Sequence, residues 1–202
     1  MPVLIAPPFA ETLTINLDAV FKKVTDEEFF ELCRQNPDLR LEMSKEGDIV
    51  IMPPTGGETS RQNFNLNTDL GIWARRDGTG VCFESNALFV LPSGAKRSPD
   101  LSWVKLERWN ALTEAQRKSF PPLCPDFVVE LRSPSDSVSE LKAKMEEYIE
   151  NGAQLGWLID PAQKKVWIYR PDSAVEELDH PTSLSGEPLL RGFILDLRQY
   201  FG

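Results

Sequence analysis

One stretch limits the fold of this chain more than any other. Phe127-Val128-Val129-Glu130-Leu131 is apolar but for a single carboxylate, and prolines at 125 and 134 bound it. A run this short, without polar alternation, is the pattern of a strand covered on both faces. In residues 137–151, Val138, Leu141, Met145, Tyr148 and Ile149 follow at helical spacing, and Asn151-Gly152 ends the helix. Leu155-Gly156-Trp157-Leu158-Ile159 is then a second apolar strand. Strand, helix, strand in this order predicts a right-handed crossover within one α/β domain that has a mixed sheet.

The segments before this unit are more polar. Residues 1–24 read as a Pro-containing arm with one alternating stretch, Leu13 to Leu17, suited to an edge strand; residues 25–202 read as a single domain. Thr25 with Glu28 makes a capping box, so a helix begins there. Residues 40–52 read as a hairpin, with Leu41 and Met43 alternating against Arg40 and Glu42 and a turn at Lys45-Glu46-Gly47-Asp48. Pro53-Pro54-Thr55-Gly56-Gly57 breaks the strand, and a helix is predicted over about 58–76. Strands are expected at Val81 to Glu84, Ala87 to Leu91 and Asp100 to Val104, followed by an insert with a short helix capped by Thr113 and Gln116. Val166 to Tyr169 and a short stretch near Val175 to Leu178 are further strands.

Composition narrows the chemistry. Three widely spaced cysteines, Cys33, Cys82 and Cys124, with no C-x-x-C pair, argue against a disulfide framework or a thiolate zinc site. The sole histidine, His180, sits in a proline-flanked loop, so multi-histidine metal sites are excluded and a Ser-His-Asp or Cys-His enzyme would have to use that residue. Chemistry must therefore rest on carboxylates, lysines and a hard cation. A net charge of −9 argues against gripping nucleic acid by bulk charge, although Arg61, Arg75, Arg76, Lys96 and Arg97 could form a local basic rim. No apolar run is long enough to span a bilayer, and the first residues carry no basic leader, so the expected location is cytoplasmic with no membrane partner.

Glu130 is the anomaly in the apolar run, because a buried carboxylate is costly unless it is paired or binds a metal. Its bland account is an ion pair with Arg132 or a neighbouring lysine. Asp100, after Ser98-Pro99, enters a strand in which Leu101 and Trp103 alternate; alone it would be a turn residue. Lys142 and Lys144 flank the apolar stripe of the following helix, one on each side, and periodicity does not choose between them. Two carboxylates at the ends of adjacent strands with a lysine suit a metal-assisted attack on a phosphodiester. A sugar hydrolase using the same two carboxylates is less well supported, since nothing resembles a sugar-stacking platform.

These pieces together resemble a known family. RLEMSKEGDIVIMPPTGGET, RSPDLSWV, PDFVVELRSPSD, LKAKMEEYIENGA and LGWLIDP, followed by VWIYR, are similar in order and spacing to the Uma-two group of the PD-(D/E)XK superfamily, over about residues 40–200. The resemblance implies a restriction-endonuclease-like α/β fold, a mixed β-sheet flanked by helices, here with an added N-terminal helix and hairpin. It implies an endonuclease that hydrolyses DNA phosphodiester bonds with Mg²⁺, for which Mn²⁺ would substitute, and a possible homodimer. Asp100 and Glu130 would be catalytic metal ligands, and Glu58 would add a third acidic group, with Glu42 the weaker candidate. The lysine of the usual D-x-K pattern is replaced by Arg132. Lys144, in Lys144-Met145-Glu146-Glu147-Tyr148, matches the displaced lysine of the family and would be catalytic. The alternative is a catalytically inactive nuclease-like module that binds nucleic acid or protein.

Overall fold

The strand, helix, strand unit is the centre of the computed structural model, which describes residues 12–15 and 24–201. In chain order the elements are β1 (Leu13–Ile15), α1 (Asp26–Gln35), β2 (Arg40–Met43), β3 (Ile49–Met52), α2 (Gly57–Asp77), β4 (Gly80–Glu84), β5 (Phe89–Val90), β6 (Lys96–Arg97) and β7 (Leu101–Lys105). There follow α3 (Leu106–Ala111), α4 (Glu114–Lys118), β8 (Phe127–Leu131), α5 (Val138–Glu150), β9 (Leu155–Asp160), β10 (Lys165–Tyr169), β11 (Glu176–Asp179), β12 (Ser183–Ser185) and β13 (Ile194–Asp196). Most of the predicted arm, residues 1–11 and 16–23, lies outside the described residues.

The main sheet has six strands in the order β11-β10-β9-β8-β7-β4. Only β8 and β9 run parallel, as the crossover through α5 demands, and the other pairs are antiparallel. The sheet is covered on both faces, which is why its central strands lack polar alternation. On one face, Leu101, Trp103, Phe127, Val129, Leu131, Trp157 and Ile159 pack on Leu66, Leu70 and Ala74 of α2 and on Leu190, Phe193, Leu195 and Tyr200 near the C-terminus. On the other, Val104, Val128, Leu158, Trp167 and Tyr169 pack on Met145 and Tyr148 of α5. Gly156 of β9 lets α5 approach closely, since a Cβ there would lie 2.4 Å from Met145 Cε.

A second sheet differs from the single sheet read from the sequence. The predicted hairpin, β2 and β3, joins β1 on one side and β6 and β5 on the other, in the order β1-β3-β2-β6-β5. The strands β5 and β6 are only two residues each, too short to show periodicity. Leu41, Met43 and Ile49 pack on Phe29 of α1. The chain leaves this sheet at Arg97 and enters the main sheet at Leu101, so Ser98-Pro99-Asp100 bridges the two. A cleft forms at that junction.

Of the basic rim expected from the sequence, Lys96 and Arg97 are consumed internally and Arg61 forms an exposed pair, while Arg75 and Arg76 stay exposed on α2. Lys96 is buried, pairs with Asp26 at 2.6 Å and lies over the Phe29 ring. Arg97 is paired with Glu42 and Glu147, and Arg61 with Glu58. No helix among the described residues is long and apolar enough to cross a membrane.

Candidate active site

Strand register brings Asp100 and Glu130 together. Leu101 is opposite Val129 in the antiparallel β7–β8 pair, so Asp100, one step earlier, lies across from Glu130. Side chains directly opposite share a face, and alternation puts this pair on the face that packs against α5. Leu131 N donates to Asp100 Oδ2 at 2.9 Å. Asp100 Oδ1 makes no hydrogen bond to any described residue.

The helix delivers the lysine. Lys144 Nζ lies 2.9 Å from Glu130 Oε1 and 2.9 Å from Glu42 Oε1. Tyr148, one turn along on the same helix face, donates from its hydroxyl to Glu130 Oε1 at 3.1 Å. Both donors use the same oxygen of Glu130, and Oε2 has no hydrogen bond to a described residue. Lys142, the other flanking lysine, points elsewhere, with its ammonium 4.2 Å from the centre of the Trp167 ring. Arg132 does not pair with Glu130: its guanidinium bonds Asp160 Oδ2 at 2.9 Å, so of the two bland partners read from the sequence only a neighbouring lysine, Lys144, pairs with the buried glutamate.

Glu42 arrives from the second sheet. Met43 pairs with Lys96, so Glu42 and Arg97 are cross-strand neighbours, and Arg97 Nη1 is 3.3 Å from Glu42 Oε2. Ser98 N donates to Glu42 Oε1 at 2.8 Å. The residues Arg40, Glu42, Arg97, Asp100, Glu130 and Lys144 all line one cavity of about 590 Å³. Glu58 stands in the first turn of α2 and bonds Arg61; it is exposed and not part of the cavity wall. The acidic side chain placed beside Lys144 is thus Glu42. RLEM alternates like a strand with a wet face, whereas Lys144 of α5 and Arg97 of β6 reach Glu42 on that face.

The electrostatics follow from burial and neighbours. Burial first, then the charges of Asp100 and Glu42, push Glu130 up to about 8 despite the Lys144 ammonium. Burial also raises Asp100, against the Leu131 N–H and Lys144. Glu42 goes the other way: burial opposes its charge, but Lys144, Arg97 and the Ser98 N–H outweigh that and hold it below its ordinary value. Burial disfavours charge on Lys144, yet Glu130 and Glu42 keep its pKa raised. Burial, reinforced by Glu130 and Glu42, pushes the Tyr148 hydroxyl well up, so it stays a donor.

The donor set fits a hard cation. Glu130 is buried and Asp100 half-buried, both have elevated pKa values, and each keeps one oxygen outside the internal hydrogen bonds. No group of three or more His, Cys, Asp or Glu side chains among the described residues forms a ready-made metal cage. Mg²⁺ does not need one, because it commonly binds through one or two carboxylates with water and substrate phosphate completing its shell.

A mixed sheet flanked by helices is the architecture of the restriction-endonuclease-like class. The family model "Uma2: Putative restriction endonuclease" matches residues 26–198, and the chain belongs to that family. A search of curated proteins found no match. Among solved structures, the fold is similar to a protein described as "a putative nuclease belonging to DUF820" from Anabaena variabilis ATCC 29413, with a TM-score of 0.68 and 23% identity, over 80% of this chain and 89% of that one.

Proposed function

We propose that this protein is a divalent-cation-dependent endonuclease that hydrolyses phosphodiester bonds in DNA. The observation that carries the proposal is the convergence of Asp100, Glu130 and Lys144 on one cavity wall, with Lys144 Nζ 2.9 Å from Glu130. Family membership and the likeness to a protein described as a nuclease support the same reading. Asp100 and Glu130 would hold the cation. Bound there, a hard cation supplies positive charge to a phosphodiester oxygen and lowers the pKa of a water.

The chain's own groups do the rest. Tyr148 fixes the rotamer of Glu130 by donating to Oε1. Lys144 brings a protonated ammonium to the place where negative charge builds up on the phosphorus oxygens. An arginine at position 132, two residues after Glu130, does not serve in this way, since it is held by Asp160. Cations that line the cavity, Arg40 and Lys45, can meet flanking phosphates.

The test is nicking of supercoiled plasmid in Mg²⁺ or Mn²⁺. The parent protein should nick, and Asp100→Asn and Glu130→Ala should not. Glu130→Ala should keep or slightly raise stability without cation, by about 1–3 kcal/mol, because it removes a desolvated carboxylate. Folded parent protein that fails to nick in either cation, or full activity in Glu130→Ala, would overturn the reading.

A further inference from the structure

We propose that Glu42 is the positioning residue for Lys144, and that it is not itself a ligand of the cation. This rests on the reading above that Lys144 serves phosphodiester hydrolysis. The oxygens decide the assignment. Glu42 Oε1 accepts from Lys144 Nζ at 2.9 Å and from Ser98 N at 2.8 Å, while Oε2 faces Arg97 Nη1 at 3.3 Å. Both oxygens are therefore engaged, and the side chain is only 3% exposed. Asp100 and Glu130 differ, since the internal bonds of each use one oxygen.

The support behind Glu42 closes into a ring of alternating charge. Arg97 also bonds Glu147, which lies on α5 three residues after Lys144. Thus Lys144, Glu42, Arg97 and Glu147 tie α5 to β2 and β6 through complementary contacts. A lysine carries its charge on a flexible four-carbon stem and, unanchored, would sample water. Held between Glu42 and Glu130, the ammonium keeps one place beside the carboxylate pair. Displacement of such a group by about 1 Å costs on the order of a hundredfold in rate. Of these three carboxylates, only Asp100 and Glu130 keep an oxygen free for a cation.

The test is Glu42→Gln, which preserves volume and an acceptor for Ser98 N but removes the charge. The kcat for nicking should fall by roughly a hundredfold, with KM for the plasmid changed less than about threefold. Mn²⁺ binding to the folded protein, followed calorimetrically, should keep the parent's stoichiometry with affinity within about threefold of the parent, whereas loss of a true ligand typically costs more than about tenfold. Glu42→Asp, which keeps the charge but retracts it, should nick at a rate between those of the parent and Glu42→Gln and gives the readout if Glu42→Gln does not fold. Mn²⁺ affinity reduced tenfold in Glu42→Gln, or a kcat within about twofold of the parent in both variants, would overturn the proposal. A parent protein that never nicks DNA would refute the nuclease reading instead, and the Mn²⁺ result would still decide whether Glu42 is a ligand.

Discussion

Replacing Lys144 by methionine tests the electrostatic account of the cleft. The ammonium sits 2.9 Å from each of two buried carboxylates, and its own side chain is 13% exposed. Removing one partner of a buried pair costs about 3–5 kcal/mol when the remaining charge has no other partner. Glu42 retains Arg97 and the Ser98 N–H, so its loss falls at the low end of that range. Glu130 retains only the Tyr148 hydroxyl. It can escape by binding a proton, because its pKa already stands near 8 with Lys144 in place and must rise further without it. The sign follows from linkage: a carboxyl whose folded pKa lies above its unfolded value contributes stability below the unfolded value and loses it as pH rises through the folded one.

In the parent this loss spans the interval from 4.5 to about 8 and then stops. In Lys144→Met it continues above pH 8, by up to about 1.4 kcal/mol per pH unit, for as long as Glu130 keeps its proton. Urea unfolding of the two proteins should therefore give an offset of about 3 kcal/mol, nearly constant from pH 5 to 7 and widening above pH 8. Adding Glu130→Gln to both should abolish the widening. A constant offset up to pH 9.5, or one below about 1 kcal/mol throughout, would refute the reasoning. In the nicking assay the same variant should be about a hundredfold to a thousandfold slower, from the loss of one charge contact in the transition state.

Two other substitutions separate structure from chemistry. Lys142→Ala should reduce stability by about 0.5–1 kcal/mol through the lost contact with Trp167, and should nick DNA within about twofold of the parent rate; a hundredfold loss would transfer the catalytic role to Lys142. Arg132→Met should destabilise by about 3 kcal/mol, because it leaves the fully buried Asp160 with the Gln163 N–H but no countercharge from Arg132, and urea midpoints that match the parent would show that this pair contributes nothing.

The crossover unit was legible because its pattern is local. Apolar density, proline and glycine punctuation and a helical stripe mark β8, α5 and β9 without reference to anything distant. The capping box at Thr25 and Glu28 is local too, and both reciprocal hydrogen bonds are present. The second sheet was not legible, since β5 and β6 are two residues long and β6 pairs with β2 only through Met43 and Lys96, far apart in the chain. Lys96 and Arg97 read as surface charge for the same reason: the partners that bury them, Asp26, Glu42 and Glu147, are distant in the chain.

The candidate site divides in the same way. The sequence by itself determined that a carboxylate would be caught inside an apolar strand at 130, and that a proline-led aspartate would enter a strand at 100. It also determined that the next helix would carry lysines on both sides of its stripe. Only the tertiary structure decided which lysine turns inward, because the choice between Lys142 and Lys144 depends on how α5 is rotated against the sheet, down to the close approach at Gly156. The tertiary structure also decided that Glu42, on what reads as a wet strand face, would be sealed beside Lys144, with Glu58 left on the surface with Arg61. Periodicity reports one element's own faces; what covers a face is set by the packing of another element, and that information is spread over the whole chain.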